Sequence, residues 1–138
     1  MILESAAQPA TRTTARTLWA GRIITGLAVL FLIFDMAMKF LALPQAVQGT
    51  AELGWPAHHL LTLGLIQLVC LVIYLIPRTA PLGAVLWTGY LGGAIATHLR
   101  IDNPLFSHIL FPIYIAALVW GGLYLRDPRV RALLRPIR

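Results

Sequence analysis

Six polar side chains interrupt or flank the long apolar runs of this 138-residue sequence: Asp35, Lys39, Gln67, His98, Arg100 and His108. Their types suit proton handling, or hydrogen bonding to a polar head group away from water. Asp35 and Lys39 stand four residues apart, so a helix sets them on one face, where they can neutralise each other. The imidazoles of His98 and His108 can donate or accept near neutral pH, and Gln67 brings an amide with both functions. A lone charge among lipid chains costs on the order of 3 kcal/mol on insertion scales, so ionisable groups inside apolar runs mark candidate sites.

The elements that must position these groups are four apolar segments, at about 18–40, 57–76, 82–99 and 104–125. A bilayer core about 30 Å thick is crossed by roughly 20 helical residues, and all four segments fit. The sequence is 59% hydrophobic and 12% charged, with a mean hydropathy of +0.79. Its apolar runs have no polar face at a helical or strand period, which excludes an ordinary soluble fold. In lipid the backbone must satisfy itself internally, so such runs become helices. The expected fold is an all-α membrane protein, one domain (18–126) of four transmembrane helices in an antiparallel bundle. A loose cytoplasmic N-terminus (1–17) and a basic cytoplasmic tail (127–138) flank it. Between spans one and two, residues 44–53 predict a short interfacial helix: Pro44 suits a first turn, Gly54 can end it, and Trp55 prefers the interface.

Charge placement sets the expected topology. Of the charges behind the +6 net value, Arg12, Arg16 and Arg22 precede span one, and Arg78 lies between spans two and three. Arg126, Arg129, Arg131, Arg135 and Arg138 follow span four. The other connections hold only Lys39 and Arg100, offset by Glu52 and Asp102. Cytoplasmic flanks carry the excess of Lys and Arg, so both termini are expected in the cytoplasm, with membrane lipids as the first partner and anionic head groups beneath the arginine tail. No nucleic-acid module, phosphate loop or Ser-His-Asp order accompanies the basic charge. The first run is longer than a signal-peptide core and lacks a small-x-small cleavage site, so it reads as retained. Cys70 is alone, which rules out an internal disulfide.

Depth follows from helical rise. Asp35 lies thirteen residues after Arg22, roughly 20 Å of helix, in the outer third of the membrane. His98 stands roughly 24 Å from the cytoplasmic start of span three, and Gln67 roughly 10 Å in from the outside. With His108 near the outer start of span four, four helices deliver Asp35, Gln67, His98 and His108 to the outer half. Gly21, Ala28 and Asp35 share a seven-residue stripe expected to face other helices. Gly89 and Gly93 form a small-x-x-x-small pair expected to pack a helix closely. Pro112 cannot donate to the carbonyl of His108, which would be left free in a helix running through both. Metal or haem ligation finds little support: His58 and His59 are adjacent and expected to point apart, and no His-x-x-x-His pair occurs. His98, His108 and Asp35 are the one set that neighbouring helices could gather. The bland reading of the polar cluster is glue, since hydrogen bonds between membrane helices are worth about 1 kcal/mol each.

Four stretches carry a resemblance: Phe34-Asp35-x-x-x-Lys39, Tyr74-Leu75-Ile76-Pro77-Arg78-Thr79, Tyr90-Leu91-Gly92-Gly93-Ala94 running into Thr97-His98-Leu99-Arg100, and Trp120-Gly121-Gly122-Leu123-Tyr124-Leu125-Arg126-Asp127-Pro128. Together and in this order they resemble the DoxX-like membrane proteins. The resemblance implies a small four-helix protein of the bacterial inner membrane. The family takes its name from subunits of a thiosulfate:quinone oxidoreductase, some relatives associate with redox-defence partners, and most members of this branch have no assigned activity. Asp35, Lys39, His98 and Arg100 match polar positions of the family pattern, whereas similar proteins commonly carry glutamate where this chain has Gln67. That change removes a proton acceptor and weakens a proton relay. The reading that follows is a redox-associated accessory subunit, catalytic or not, whose polar cluster contacts a quinone, a small sulfur species or a partner protein. A solute carrier or exporter subunit, which four spans would make a homo-oligomer, and a ligand-free scaffold stay open as alternatives.

Overall fold

The computed structural model describes residues 13–135, and among these it is helical with no strand. Helix α1 spans Ala15–Phe40, α2 Pro44–Glu52, α3 His59–Leu75, α4 Ala80–Arg100, α5 Phe111–Arg126 and α6 Pro128–Leu133. Each boundary has a local cause. Thr14 opens α1 by accepting a hydrogen bond at its hydroxyl from the Thr17 amide, 3.3 Å away. Ala42, at φ 47°, turns the chain out of α1 so that Pro44 can begin α2. Gly54, at φ 80°, ends α2 in the left-handed region that favours glycine. Pro77 stops α3, and α4 follows at once with Pro81 in its first turn.

These elements refine the sequence-based boundaries. The N-terminal 1–12, expected to be loose, lie outside the described residues, while 15–17 already belong to α1. Within the expected basic tail, Asp127 caps a further turn of helix, α6, and 136–138 lie outside the described residues. The fourth apolar run is not one uniform α-helix. Residues Leu105–Ile109 form a π-helical turn, the chain steps at Leu110, and α5 starts at Phe111. Pro112 therefore occupies a first turn, where its missing N–H is tolerated, and no α-helix runs through both His108 and Pro112.

The four long helices close a ring: α1 packs on α5 and α3, and α4 packs on α3 and α5. The start of α1 lies against the end of α5, where Gly21 and Gly122 bring the backbones together. A Cβ on Gly122 would stand 2.8 Å from the Thr25 amide nitrogen, and one on Gly21 would stand 2.9 Å from the Gly122 carbonyl oxygen. At the other end of this pair Phe31 meets Phe111 edge to face, with centroids 5.3 Å apart. Gly83 does the same for α4 and α3, since its Cβ would fall 2.4 Å from the Tyr74 backbone. Ala28, Tyr74, Trp87, Val119 and Leu123 fill the centre. Tyr74 also donates its hydroxyl to the Val119 carbonyl at 2.8 Å.

The outside of the ring is apolar. Trp19, Leu30, Phe34, Val69, Val85 and Ile113 are all exposed. Helix α1 and the stretch Leu105–Arg126 are each long and apolar enough to cross a membrane, and only 11% of the α1 window is buried inside the protein. A soluble protein's core helix would be buried. An apolar helix with an apolar exterior belongs in lipid, and the molecule is a membrane protein. Helix α3 is equally apolar but has only 17 residues, and α4 is diluted by glycines and threonines.

Candidate functional site

Helix α1 contributes a carboxylate and an ammonium one turn apart. Asp35 Oδ2 accepts from Lys39 Nζ at 2.5 Å and from Gln67 Nε2 of α3 at 2.6 Å. Two helices are thus joined through one oxygen, and both bonds are charge-assisted. Gln67 is 1% exposed. Its orientation is dictated by chemistry: an ionised carboxylate only accepts, so the amide nitrogen faces Asp35 and Oε1 turns away. That Oε1 is buried and has no partner among the described residues. An unsatisfied acceptor of this kind costs about 1–3 kcal/mol.

A second polar group comes from the loop after α4. Asp102, at φ 53°, folds the chain back so that Asn103 reaches His98. The Asn103 amide donates to His98 Nδ1 at 2.8 Å, which leaves the neutral ring its proton on Nε2. His108, on the π-helical turn, shares a hydrogen bond between Nδ1 and the Ser107 hydroxyl at 2.7 Å. The two imidazoles meet edge to face with centroids 5.6 Å apart.

Both groups border one cavity of about 710 Å³, walled by Phe31, Leu32, Ile66, Leu91, Phe111 and Ile115 among others. Helix α2 lies along it through Ala46, Gly49 and Thr50. Pockets of roughly 300–1,000 Å³ with apolar walls and a few converging polar groups are the usual form of a small-molecule site. Of the six residues singled out from the sequence, Asp35, Lys39, Gln67, His98 and His108 line this cavity. Arg100 does not. Its Nη2 donates to the Leu53 carbonyl at 2.6 Å and lies over Gly54, so it holds the end of α2 to the end of α4.

Two further expectations are corrected by the geometry. Gly89 and Gly93 do not pack a helix: nothing lies within 4 Å of where their Cβ atoms would stand, and both line the cavity. The close approaches use Gly21, Gly122 and Gly83 instead. His58 and His59 do not point apart; their rings are 4.1 Å centroid to centroid. Among the described residues no three His, Cys, Asp or Glu side chains gather as metal ligands. Sequence reasoning missed Asn103 and Ser107 as partners of the imidazoles, and Tyr90 as a wall of the cavity. Asn103 stands directly before Pro104, but its reach to His98 depends on a turn no spacing announces.

A family model described as the DoxX-like family matches residues 23–122. The matched stretch holds all six polar residues and the close-packing glycines Gly83 and Gly122, with Gly21 just before it. Neither the curated proteins nor the solved structures gave a significant match.

Proposed function

The chain belongs to the DoxX-like family, and from that premise we propose that it is a four-span inner-membrane subunit of bacterial redox metabolism that holds a lipid-soluble small molecule. In this reading α1, α3, α4 and the 104–126 segment cross the bilayer as an antiparallel bundle with both termini in the cytoplasm. Arginines at 16, 22, 78, 126, 129, 131 and 135 then lie on the cytoplasmic side. The cavity opens in the outer half, under α2 as an interfacial helix.

One observation carries the reading: a cavity of about 710 Å³ with apolar walls, into which a half-buried ion pair, an amide and two imidazoles converge. Its volume and apolar lining suit a ring-bearing, membrane-soluble molecule such as a quinone rather than a small sulfur oxyanion, which would lose its hydration against Phe31, Leu32 and Ile115. The Nε2–H of His98 and the remaining ammonium protons of Lys39 are donors for such a head group. The subunit binds and positions this molecule for a partner, and Asp35, held by two donors, anchors Lys39 and Gln67 in place.

The test is to isolate the full chain in native-lipid nanodiscs and extract its small molecules with organic solvent. A stoichiometric compound with a reversible oxidised-minus-reduced absorbance spectrum, reduced in amount by His98→Ala, is expected. Empty protein, or an occupant with no redox spectrum, overturns the proposal.

A further inference from the structure

Helix α2 is built unlike the four long helices. It has nine residues, and Gln45, Gln48, Thr50 and Glu52 make it polar. A helix this short does not hold itself together in isolation, so its surroundings decide where it lies. It rests on α1 and α3, buries Thr50, and walls the cavity through Gln45, Ala46 and Gly49. Its Gln48 and Glu52 side chains bond only to each other, at 2.9 Å. Among the described residues, one hydrogen bond ties this helix and its end to a helix distant in the chain. That bond runs from Arg100 Nη2 to the Leu53 carbonyl at 2.6 Å.

The backbone on either side is suited to movement. Among the described residues three have positive φ, and two of them, Ala42 at 47° and Gly54 at 80°, bracket α2. Gly54 rotates out of that region at little cost, and Ala42 is strained within it, so local backbone energy opposes neither swing. Lids turn on a few such residues at the ends of elements. We propose that α2 is a lid, hinged at Ala42 and Gly54 and latched by Arg100 on the Leu53 carbonyl, whose swing opens the cavity to the membrane surface. The purpose of the swing rests on the cavity being a ligand site, as proposed above: it admits and releases the occupant. The latch explains why Arg100, unlike the other five polar residues, stays out of the cavity.

The experiment reads opening as the rate at which a water-soluble, membrane-impermeant maleimide modifies a cysteine on the cavity wall. It uses the full chain in lipid nanodiscs, with Cys70→Ala as background. Gly93→Cys sets the thiol on that wall, where nothing lies within 4 Å of the Cβ. Gln48→Cys, on the exposed side of α2, is the reference. With the latch intact, Gly93→Cys should react far more slowly than the reference. Arg100→Ala should speed it about tenfold, the rise in open population expected from losing one charge-assisted hydrogen bond. Arg100→Lys, which can still donate to the Leu53 carbonyl, should fall between, and the reference rate should not change. Gly54→Ala drives a Cβ to 2.6 Å from Arg100 Nη2 and should match Arg100→Ala, replacing it if that variant fails to fold by helicity and elution volume. Equal Gly93→Cys rates with and without the latch overturn the lid, as does an acceleration shared by the reference. No reaction at Gly93→Cys in any background overturns it too, since nothing then opens beneath α2. The labelling needs no bound molecule, so these failures leave the ligand reading standing, whereas empty protein in the solvent extraction strikes that reading alone.

Discussion

Removing the charge of Asp35 should expose how the ion pair and the amide hold α1 to α3. In Asp35→Asn, Lys39 keeps a proton-bearing ammonium that is only 13% exposed and loses its counterion at 2.5 Å. Breaking a fully buried pair from one side costs about 3–5 kcal/mol. Asp35 is 37% exposed, so solvent and lipid head groups screen part of that, and about 2 kcal/mol is expected. Lys39→Met should cost less, about 1 kcal/mol, because the carboxylate keeps its bond from Gln67 Nε2. The double variant has neither stranded charge. Its cost should fall short of the summed single costs by about 1–1.5 kcal/mol, the coupling expected of contacting residues. Reversible unfolding in mixed micelles, read by helicity, gives all four corners of the cycle. Additivity within about 0.5 kcal/mol would mean that the two groups do not interact and would refute this account of the pair.

The glycines supply a contrast. Gly122→Ala and Gly83→Ala push a Cβ into backbone at 2.8 and 2.4 Å and should each destabilise by about 1–3 kcal/mol. Gly89→Ala meets nothing within 4 Å and should be neutral or stabilising by up to about 1 kcal/mol, all measured by the same unfolding assay. Asp127 caps α6 and is bonded by the Arg129 side chain, which holds its carboxyl below the ordinary 3.8. A depressed carboxylate stabilises the fold fully above its unfolded value and loses that contribution as pH falls through the folded value. Hydrogen-exchange protection over 127–133, corrected for the intrinsic pH dependence of amide exchange, should accordingly be high at pH 7 and fall below about pH 4, and Asp127→Asn should flatten that dependence. Arg100→Ala removes the bond to Leu53 and should speed exchange over 44–55 with little change in α5.

The helical character and the family could be read from the chain because apolar runs, prolines and polar positions lie in one order along it. Boundaries at Pro44, Gly54 and Pro81 follow from single-residue backbone rules. Other features depend on tertiary geometry. Small-residue spacing marks a helix face that can approach another, but not whether one comes: Gly83 meets Tyr74 while Gly89, six residues on, faces open space. Arg100 shares a short helical stretch with His98, yet its length carries the guanidinium to the Leu53 carbonyl and out of the cavity. The step at Leu110 and the turn at Asp102 come from backbone angles that leave only a proline and an asparagine as traces. Asp35 and Gln67 could be assigned similar depth, but the direct bond between them, and the acceptor it leaves open, needed coordinates.

Native mass spectrometry of the full chain, extracted in its own lipids and set beside Gly93→Leu, tests most directly whether the cavity is an occupied site. The account predicts a small molecule bound one to one in wild type and lost from the folded variant. Wild type without a bound mass, or the same mass retained by Gly93→Leu, would contradict it.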